Sequence, residues 1–224
     1  MARKRAPLEV EAKLLVPRAS ALRAIARLEG IGLYRLRPRD IVRLHSVYVD
    51  TPGLTLARRG IALRLRRQAG RWALTAKWAG RVAGLVHERP ELTVALDKSP
   101  RFPLRVNGLL RRDLDALIAG QALKPILITQ IHRRRIDVVR SAAPSGHQAL
   151  AELALDRVQL CGPDDRKAAA RYTEIEIERL HGTRRDVTRL AQLLQARFGL
   201  MPSTESKFAH GLRVLYGAEF RVGR

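Results

Sequence analysis

Apolar and polar residues alternate with a period of two in eight segments of the chain, the pattern of β-strands with one buried face. Most of these segments are joined by short turn sequences, such as DTPGL at residues 50–54. Short connections favour antiparallel pairing of consecutive strands. The predicted strands are Leu8–Val16, Ile41–Asp50, Ile61–Arg67, Trp72–Trp78, Leu85–Val94, Ile126–Val139, Ala149–Val158 and Tyr172–Leu180.

Apolar residues recur at helical spacing in Pro17–Glu29, Leu109–Ile118 and Thr183–Phe198. Ser203 is predicted to cap a last helix that runs to about Tyr216. Ser99–Gly108 and the sequence SAAPSG from Ser141 lack either period and are predicted to be a loop and a turn. The pattern predicts an α+β protein, a closed antiparallel β-barrel or strongly curved sheet of about eight strands with peripheral helices.

The polar faces of these strands carry charges whose signs are sorted by strand. The first and last strands are rich in acids, whereas most of the middle strands carry bases, and a solvent-facing surface would mix the two signs more evenly. The residues on this face are Glu9, Glu11, Lys13, Arg64, Arg66, Lys77, Arg89, Glu91, Arg133, Arg135, Glu152, Asp156, Glu174, Glu176 and Glu178.

A closed sheet with these faces inward would enclose a polar lumen with a basic wall and an acidic wall. Clustered cations are costly to bury without a partner, so the lumen is expected to bind an anion. A polyphosphate would complement the basic wall, and Mg²⁺ is commonly held between phosphate oxygens and one or two carboxylates. Glu9 and Glu11 lie about 6.6 to 6.8 Å apart along one strand face and could reach one metal site.

The composition narrows the class of partner. The chain has 224 residues and a formal net charge of +22, so a partner attracted over long range is a polyanion: nucleic acid, acidic lipid or a phosphate-rich molecule. Aromatic residues make up only 4% of the chain and no DNA-binding motif is evident, which does not favour nucleic acid. The single cysteine, Cys161, excludes an internal disulfide, and no apolar run approaches the roughly 20 residues of a membrane helix. We expect a cytoplasmic protein that does not bind membranes.

Seven motifs in order along the chain resemble the CYTH superfamily, the triphosphate tunnel metalloenzymes. They are EVEAK, YVDTPGLTLARRGIALRLRR, LTAK, ERPEL, AELALDRV, EIEIE and PSTESKFAHGL, and they extend over nearly the whole sequence. The resemblance implies a closed tunnel, a triphosphate bound by basic side chains, and catalysis that depends on Mg²⁺ or Mn²⁺. It further implies a CYTH domain at residues 8–217, between a basic tail at 1–7 and a C-terminal tail at 218–224.

The resemblance also implies roles for individual residues. Glu9, Glu11 and Glu176 would be catalytic, and the metal ligands would be Glu9, Glu11, Glu152, Glu174 and Glu176. The substrate would be bound by Lys13, Arg64, Arg66, Lys77, Arg89, Arg133 and Arg135, with Asp156 and Glu178 as weaker candidates for the acidic wall. Pro90 leaves the register of Arg89 and Glu91 open, because proline cannot donate a strand hydrogen bond.

The motifs are most similar to those of bacterial inorganic triphosphatases, which implies hydrolysis of inorganic triphosphate to diphosphate and phosphate. A thiamine triphosphatase or a class IV adenylyl cyclase remains an alternative, and so does a binding module for polyphosphate or nucleic acid without catalysis. No phosphate-binding loop of the Walker type and no serine, histidine and aspartate triad is present. The physiological substrate, the preferred metal, the oligomeric state and whether the chain is an excised domain are not determined by these residues.

Overall fold

The computed structural model of the protein describes residues 6–68, 70–102, 104, 109–142, 148–165 and 167–223. The strands are β1 (Leu8–Leu15), β2 (Gly30–Ile31), β3 (Tyr34–Asp50), β4 (Ala62–Gln68), β5 (Arg71–Lys77), β6 (Arg81–Ala83), β7 (Val86–Leu96), β8 (Lys124–Arg140), β9 (Ala151–Cys161), β10 (Ala170–Arg179) and β11 (Met201–Pro202). The helices are α1 (Ala19–Ile25), α2 (Thr55–Arg58), α3 (Leu109–Ile118), α4 (Arg184–Phe198) and α5 (Lys207–Tyr216).

Eight strands pair in a closed ring, in the order β1, β10, β9, β8, β3, β4, β5 and β7, and β7 pairs in turn with β1. Every pairing in the ring is antiparallel. The predicted α+β fold with a closed antiparallel arrangement of about eight strands is therefore confirmed. The short strands β2, β6 and β11 add to β3, β7 and β1.

The apolar core lies mostly on the outer face of the ring, where helices cover it. Helices α1 and α4 pack on the outer faces of β1, β9 and β10, with Leu14, Leu153 and Leu194 fully buried between them. Helices α2 and α3 cover β4 and β5 in a second cluster. Because the outer positions of these strands are apolar, the alternation of the strands turns their charged positions inward.

Helix α5 packs differently, across one end of the ring. Phe208 and Leu212 of this helix contact a cluster that contains Leu127 and Ile131 of β8, which lie on the same face of that strand as Arg133. Phe208 also stacks on Tyr48, with ring centroids 5.1 Å apart. The last helix therefore places its first residue, Lys207, beside the charged interior.

Several predicted boundaries differ from the structure. The second long strand begins at Tyr34 rather than Ile41, because Pro38 and the basic residues around it hide the alternation and a register shift occurs between Pro38 and Asp40. Helix α1 is shorter than predicted and ends at Ile25. Ser203 does not cap the last helix: Ser206 does so, its hydroxyl accepting from the Ala209 N–H.

Pro90 does not disturb the register of β7. It pairs with Leu8, and its carbonyl accepts a hydrogen bond from the Trp78 N–H. Arg89 and Glu91 therefore keep the same face. The predicted N-terminal tail lies largely outside the described residues, as do parts of the Ser99–Gly108 loop and of the SAAPSG turn. In the described part of the chain, no helix is both long and apolar enough to cross a membrane.

Candidate active site

The inward faces of the ring surround a cavity of about 470 Å³. Thirteen of its 21 lining residues are charged, and they come from most strands of the ring and from α5. These are Glu9, Glu11, Lys13, Arg64, Arg66, Lys77, Arg89, Glu91, Arg133, Glu176, Glu178, Arg179 and Lys207. A cavity so rich in both signs of charge suits a polar, multiply charged ligand rather than an apolar one.

At one side of the cavity, β1, β5 and β7 bring together three acids and two bases. Lys77 Nζ lies 2.7 Å from Glu9 Oε1 and 2.6 Å from Glu91 Oε2. Arg89 bridges Glu9 and Glu11, at 2.7 Å and 2.6 Å. Burial would raise the pKa of Glu9, but Lys77 and Arg89 lower it below its ordinary value. Glu9 is therefore an anion at neutral pH.

The next acids along β1 and β10 meet at Lys13. Lys13 Nζ lies 2.9 Å from Glu11 Oε2 and 2.5 Å from Glu176 Oε1. Burial would lower the pKa of Lys13, yet Glu11 and Glu176 raise it, so the ammonium is charged although it is only 2% exposed. Lys13 lies directly opposite Glu176 in the register of β1 and β10, and Glu11 is the next inward residue along β1.

A second acidic group lies deeper, where β9 and β10 face α5. Oxygen atoms of Asp156, Glu174 and Glu176 all lie within 4.8 Å of one another. Lys207 contacts all three carboxylates, at 3.0 Å from Asp156 and 2.8 Å from Glu176, and Arg133 binds both oxygens of Asp156 at 2.7 to 2.8 Å. Three carboxylates at this separation supply the hard oxygen donors that Mg²⁺ and Mn²⁺ prefer, so the residues present fit such an ion.

Strand β4 contributes two cations that have no acidic partner among the described residues. Neither Arg64 nor Arg66 lies within ion-pair distance of a carboxylate of any described residue. Arg66 Nε donates instead to Ser46 Oγ at 3.0 Å, and Arg64 Nε is buried without a partner in the described chain. Burial and the neighbouring Arg64 lower the pKa of Arg66 to about 9, so the guanidinium stays charged at neutral pH but gains from a nearby anion.

Glu178 is a second acid of β10 on the cavity lining, beside Glu176. Within the part of the chain that the structure describes, it forms no hydrogen bond or ion pair. Burial, followed by repulsion from Glu9, raises its pKa to about 7. Its charge therefore changes near neutral pH, unlike that of Glu176, whose pKa is held well below the ordinary value by Lys13 and Lys207 despite its burial.

Most of the predicted site residues line the cavity, and four do not. Glu174 and Asp156 are buried behind the cavity wall, in contact with Lys207. Arg135 binds the exposed Asp40, with Nε 2.6 Å from Oδ1, and it does not line the cavity. Glu152 also lies outside the lining, in contact with Arg39 and 3.8 Å from Arg133 Nη1. All other predicted catalytic, substrate-binding and metal-binding residues line the cavity.

Lys207 was not predicted from the sequence as a site residue, and Glu91 was predicted on the charged face but was given no role. Lys207 begins a helix, where a lysine usually faces solvent, and only the packing of α5 brings it to the acidic group. Lys207 lies within the motif PSTESKFAHGL, and this motif is the sequence signal that could have identified it as a site residue. Glu91 shares the charged face of β7 with Arg89, and its contact with Lys77 could have been expected once the register across Pro90 was known.

The CYTH domain family model matches residues 7–212 of the chain. A provisionally named adenylate cyclase of Bacillus halodurans has a similar structure, with a TM-score of 0.62, 21% identity and coverage of 90% of this chain and 96% of that one. A provisionally named adenylyl cyclase of Hippeastrum, described as having a dominant triphosphatase activity, has a TM-score of 0.62 and 20% identity, with coverage of 91% and 94%.

A protein of Pyrococcus horikoshii is also similar, with a TM-score of 0.50, 16% identity and coverage of 88% and 96%. At these identities the three structures support the fold and not a particular activity. The family model, in contrast, extends over nearly the whole chain and includes every strand of the ring. The protein therefore belongs to the CYTH domain family.

Proposed function

We propose that the protein hydrolyses inorganic triphosphate to diphosphate and phosphate in a reaction that depends on Mg²⁺ or Mn²⁺. The observation that carries this proposal is the division of the cavity into two walls. Arg64 and Arg66 face the cavity without carboxylate partners, while Glu9, Glu11 and Glu176 face it from the other strands. A chain of phosphates with a divalent cation is the ligand that complements both walls at once.

The basic side chains would bind the phosphate oxygens. The planar guanidinium of arginine matches phosphate in a bidentate geometry, and Arg66 has one donor already fixed by Ser46. Lys13, Lys77, Arg89 and Arg133 would supply further positive charge as the leaving diphosphate develops negative charge. Because these cations are held by carboxylates before the substrate arrives, little rearrangement is needed to present them.

The carboxylates would hold the metal. Glu176 contacts Lys13 and Lys207 and so belongs both to the cavity lining and to the deeper acidic group, with Glu9 and Glu11 on the lining and Glu174 behind it. A divalent ion bound there would neutralise phosphate charge and activate water for attack on a phosphorus atom. Of the predicted ligands, Glu152 has the weakest support, because it lies outside the lining.

Inorganic triphosphate is favoured as substrate by the character of the lining and by the motifs. Thirteen of the 21 lining residues are charged, which favours a ligand that is anionic along its whole length. The triphosphatase activity described for the Hippeastrum protein supports hydrolysis within this fold. Two of the similar structures are provisionally named cyclases, so the assay must also test whether cyclic AMP is formed.

The test measures phosphate release from inorganic triphosphate, thiamine triphosphate and ATP in parallel, with Mg²⁺, Mn²⁺ or EDTA, and chromatography detects cyclic AMP. We expect metal-dependent turnover that is fastest on inorganic triphosphate. Glu11→Gln should lower kcat by at least about 100-fold, since it removes a buried charge that Lys13 and Arg89 both contact. Glu29→Gln is the matched control, because Glu29 is exposed and remote from the cavity.

Each other outcome has a distinct meaning. Faster turnover of thiamine triphosphate, or formation of cyclic AMP from ATP, would assign the same site to another substrate. No turnover of any of the three, together with calorimetric binding of triphosphate, would make the cavity a receptor and overturn the hydrolase proposal.

A further inference from the structure

A basic surface lies on the outside of the ring, away from the cavity. It consists of the outward positions of β3, β8 and β9 between the areas that α1 and α3 cover, and we call it the outer basic face. Its residues are Ile41, Arg43, His45, Gln130, His132, Arg134, Leu155, Arg157 and Gln159. Arg43 pairs with His132, and His132 with Arg157, so these three form one row across adjacent strands.

The outer basic face contains three arginines and two histidines and no acidic residue. Among the described residues, no carboxylate lies within ion-pair distance of Arg43, Arg134 or Arg157. Arg43 and Arg157 are exposed and Arg134 is half-buried. The inner face of the same strands is different, because there Arg133 is bound by Asp156 and Glu176. The outer basic face therefore carries positive charge that is neutralised only by solvent ions, and it complements a polyanion.

The geometry of this face suits an extended chain. Neighbouring strands lie about 4.8 Å apart, and successive outward residues of one strand lie about 6.6 to 6.8 Å apart, so the arginines form an open lattice rather than a closed pocket. Two shallow hollows of about 240 Å³ and 450 Å³ lie along it. A compact anion would contact one arginine here, whereas a chain of phosphates would contact several.

The smaller hollow lies between α1 and the sheet and has an apolar floor. Leu22, Ala26 and Leu155 form the floor, and the exposed side carries Ile41, Arg23, Arg27, His132, Arg134 and Arg157. Ile41 is 51% exposed although it is a large apolar residue in the middle of a charged surface. An apolar floor within a basic rim suits a ligand that has a flat apolar group attached to phosphates.

We propose that the outer basic face binds single-stranded nucleic acid, with phosphates on Arg43, Arg134 and Arg157 and a base in the hollow beside Ile41. Imidazole and guanidinium groups stack on unpaired bases, and the amides of Gln130 and Gln159 can hydrogen-bond to base edges. Inorganic polyphosphate matches the charge but has no group to occupy the hollow. This site is independent of the hydrolytic cavity.

The test uses fluorescence anisotropy with a single-stranded 12-nucleotide RNA that carries a 5′-hydroxyl and a 3′-fluorescein. The probe has no phosphoanhydride bond, so its binding does not depend on triphosphate hydrolysis. We expect the triple variant Arg43→Ala, Arg134→Ala, Arg157→Ala to raise Kd at least tenfold at 50 mM salt. The slope of log K against log salt should fall by about 2, because each phosphate contact on a single strand contributes about 0.7.

The matched control removes three arginines from the exposed side of α4, with Arg185→Ala, Arg189→Ala and Arg197→Ala. This control variant loses the same number of positive charges as the first triple variant, and its Kd for the RNA should change less than threefold. Circular dichroism and the thermal midpoint establish that both variants fold. Equal weakening by the two triple variants, or no binding of the RNA at 20 mM salt, would overturn the proposal.

An abasic strand of the same length tests the hollow. We expect it to bind at least fivefold more weakly than the RNA, and Ile41→Ala to reduce this ratio. Equal binding of the abasic strand, of inorganic polyphosphate and of the RNA would show that only phosphates are recognised and would contradict the assignment to nucleic acid.

Discussion

The two walls of the cavity differ in whether their charged side chains have partners of opposite charge. The paired wall consists of Glu9, Glu11, Lys13, Lys77, Arg89, Glu176 and Lys207 on the lining, with Asp156 and Glu174 buried behind it, and every acid in this set contacts a base. In the open wall, formed by Arg64 and Arg66 of β4, neither cation has an acidic partner among the described residues.

The paired wall combines the proposed metal and substrate contacts with ion pairs that stabilise the protein, whereas the cations of the open wall await a ligand only. Breaking a buried ion pair leaves an uncompensated charge and is strongly destabilising. Removing a buried cation that has no partner instead removes the free-energy cost of burying an unpaired charge. Substitutions in the paired wall are therefore expected to lower stability, and those in the open wall to lower binding with little loss of stability.

The largest effect is expected from Lys207→Met in the paired wall. It leaves the buried Glu174 without its cation, and we expect a loss of about 3 to 5 kcal/mol in the free energy of unfolding, measured by urea denaturation. The exposed Lys124→Met is the control and should change stability by less than about 0.5 kcal/mol.

The loss in Lys207→Met should also depend on pH. Burial raises the pKa of Glu174 in the folded protein, and without Lys207 it rises further. A carboxyl group with a raised folded pKa binds more protons when folded, so its contribution to stability is lost as the pH rises through that pKa. The difference from wild type should be larger at pH 8 than at pH 5, and a difference independent of pH would contradict this account of the paired wall.

The next largest effect is expected from Arg66→Met in the open wall. Binding of inorganic triphosphate in EDTA should weaken by about 10- to 100-fold in calorimetry, because a buried phosphate contact is lost. The free energy of unfolding should stay within about 1 kcal/mol of wild type or rise, since burial already disfavours the charged guanidinium. If Arg66→Met unfolded as readily as Lys207→Met, the proposed difference between the two walls would be wrong.

A smaller effect is expected from Glu178→Gln, which tests an acid that has no partner in either wall. The pKa of Glu178 is about 7 and is raised by burial and by Glu9, so the side chain gains charge between pH 6 and pH 8. In EDTA, binding of inorganic triphosphate should weaken over this interval more steeply in wild type than in Glu178→Gln, by severalfold. The triphosphate itself titrates equally in both experiments, and parallel curves would exclude this role for Glu178.

The smallest effect is expected from Arg135→Ala. The motifs predict a phosphate contact for this residue, but its guanidinium binds the exposed Asp40 and lies outside the cavity lining. We expect kcat/KM to change by less than threefold in phosphate-release assays. A loss comparable to that of Arg66→Met would mean that the substrate extends to this end of the ring.

The strand interiors of the site were predictable from sequence because a period of two assigns each side chain to a face. Glu9, Glu11, Lys13 and Arg133 lie on the cavity side for this reason. Arg135 was predicted to face the cavity but lies outside its lining. The cause is the first half of β3, which was not predicted because Pro38 interrupts the alternation. Its unforeseen residues, Arg39 and Asp40, pair with Glu152 and Arg135.

Lys207 could not be placed from sequence for a different reason. Helical periodicity indicates which side of a helix is apolar, but it does not indicate which part of the sheet the helix covers. The position of Lys207 depends on the packing of Phe208 and Leu212 against β8, a contact between residues far apart in the chain. Its three acidic neighbours lie on two other strands, so no local pattern reports the contact.

The closure of the ring has a consequence for synthesis of the chain. Lys13 and Glu176 are separated by 163 positions, so β1 lacks its β10 neighbour until most of the protein has been made. At about 5 to 20 residues per second, that interval lasts about 10 to 30 s. An unpaired strand edge invites association with other chains, and charged side chains discourage it. We therefore expect the charges of Glu9, Glu11 and Lys13 to oppose aggregation of the nascent chain before these residues reach their positions in the cavity.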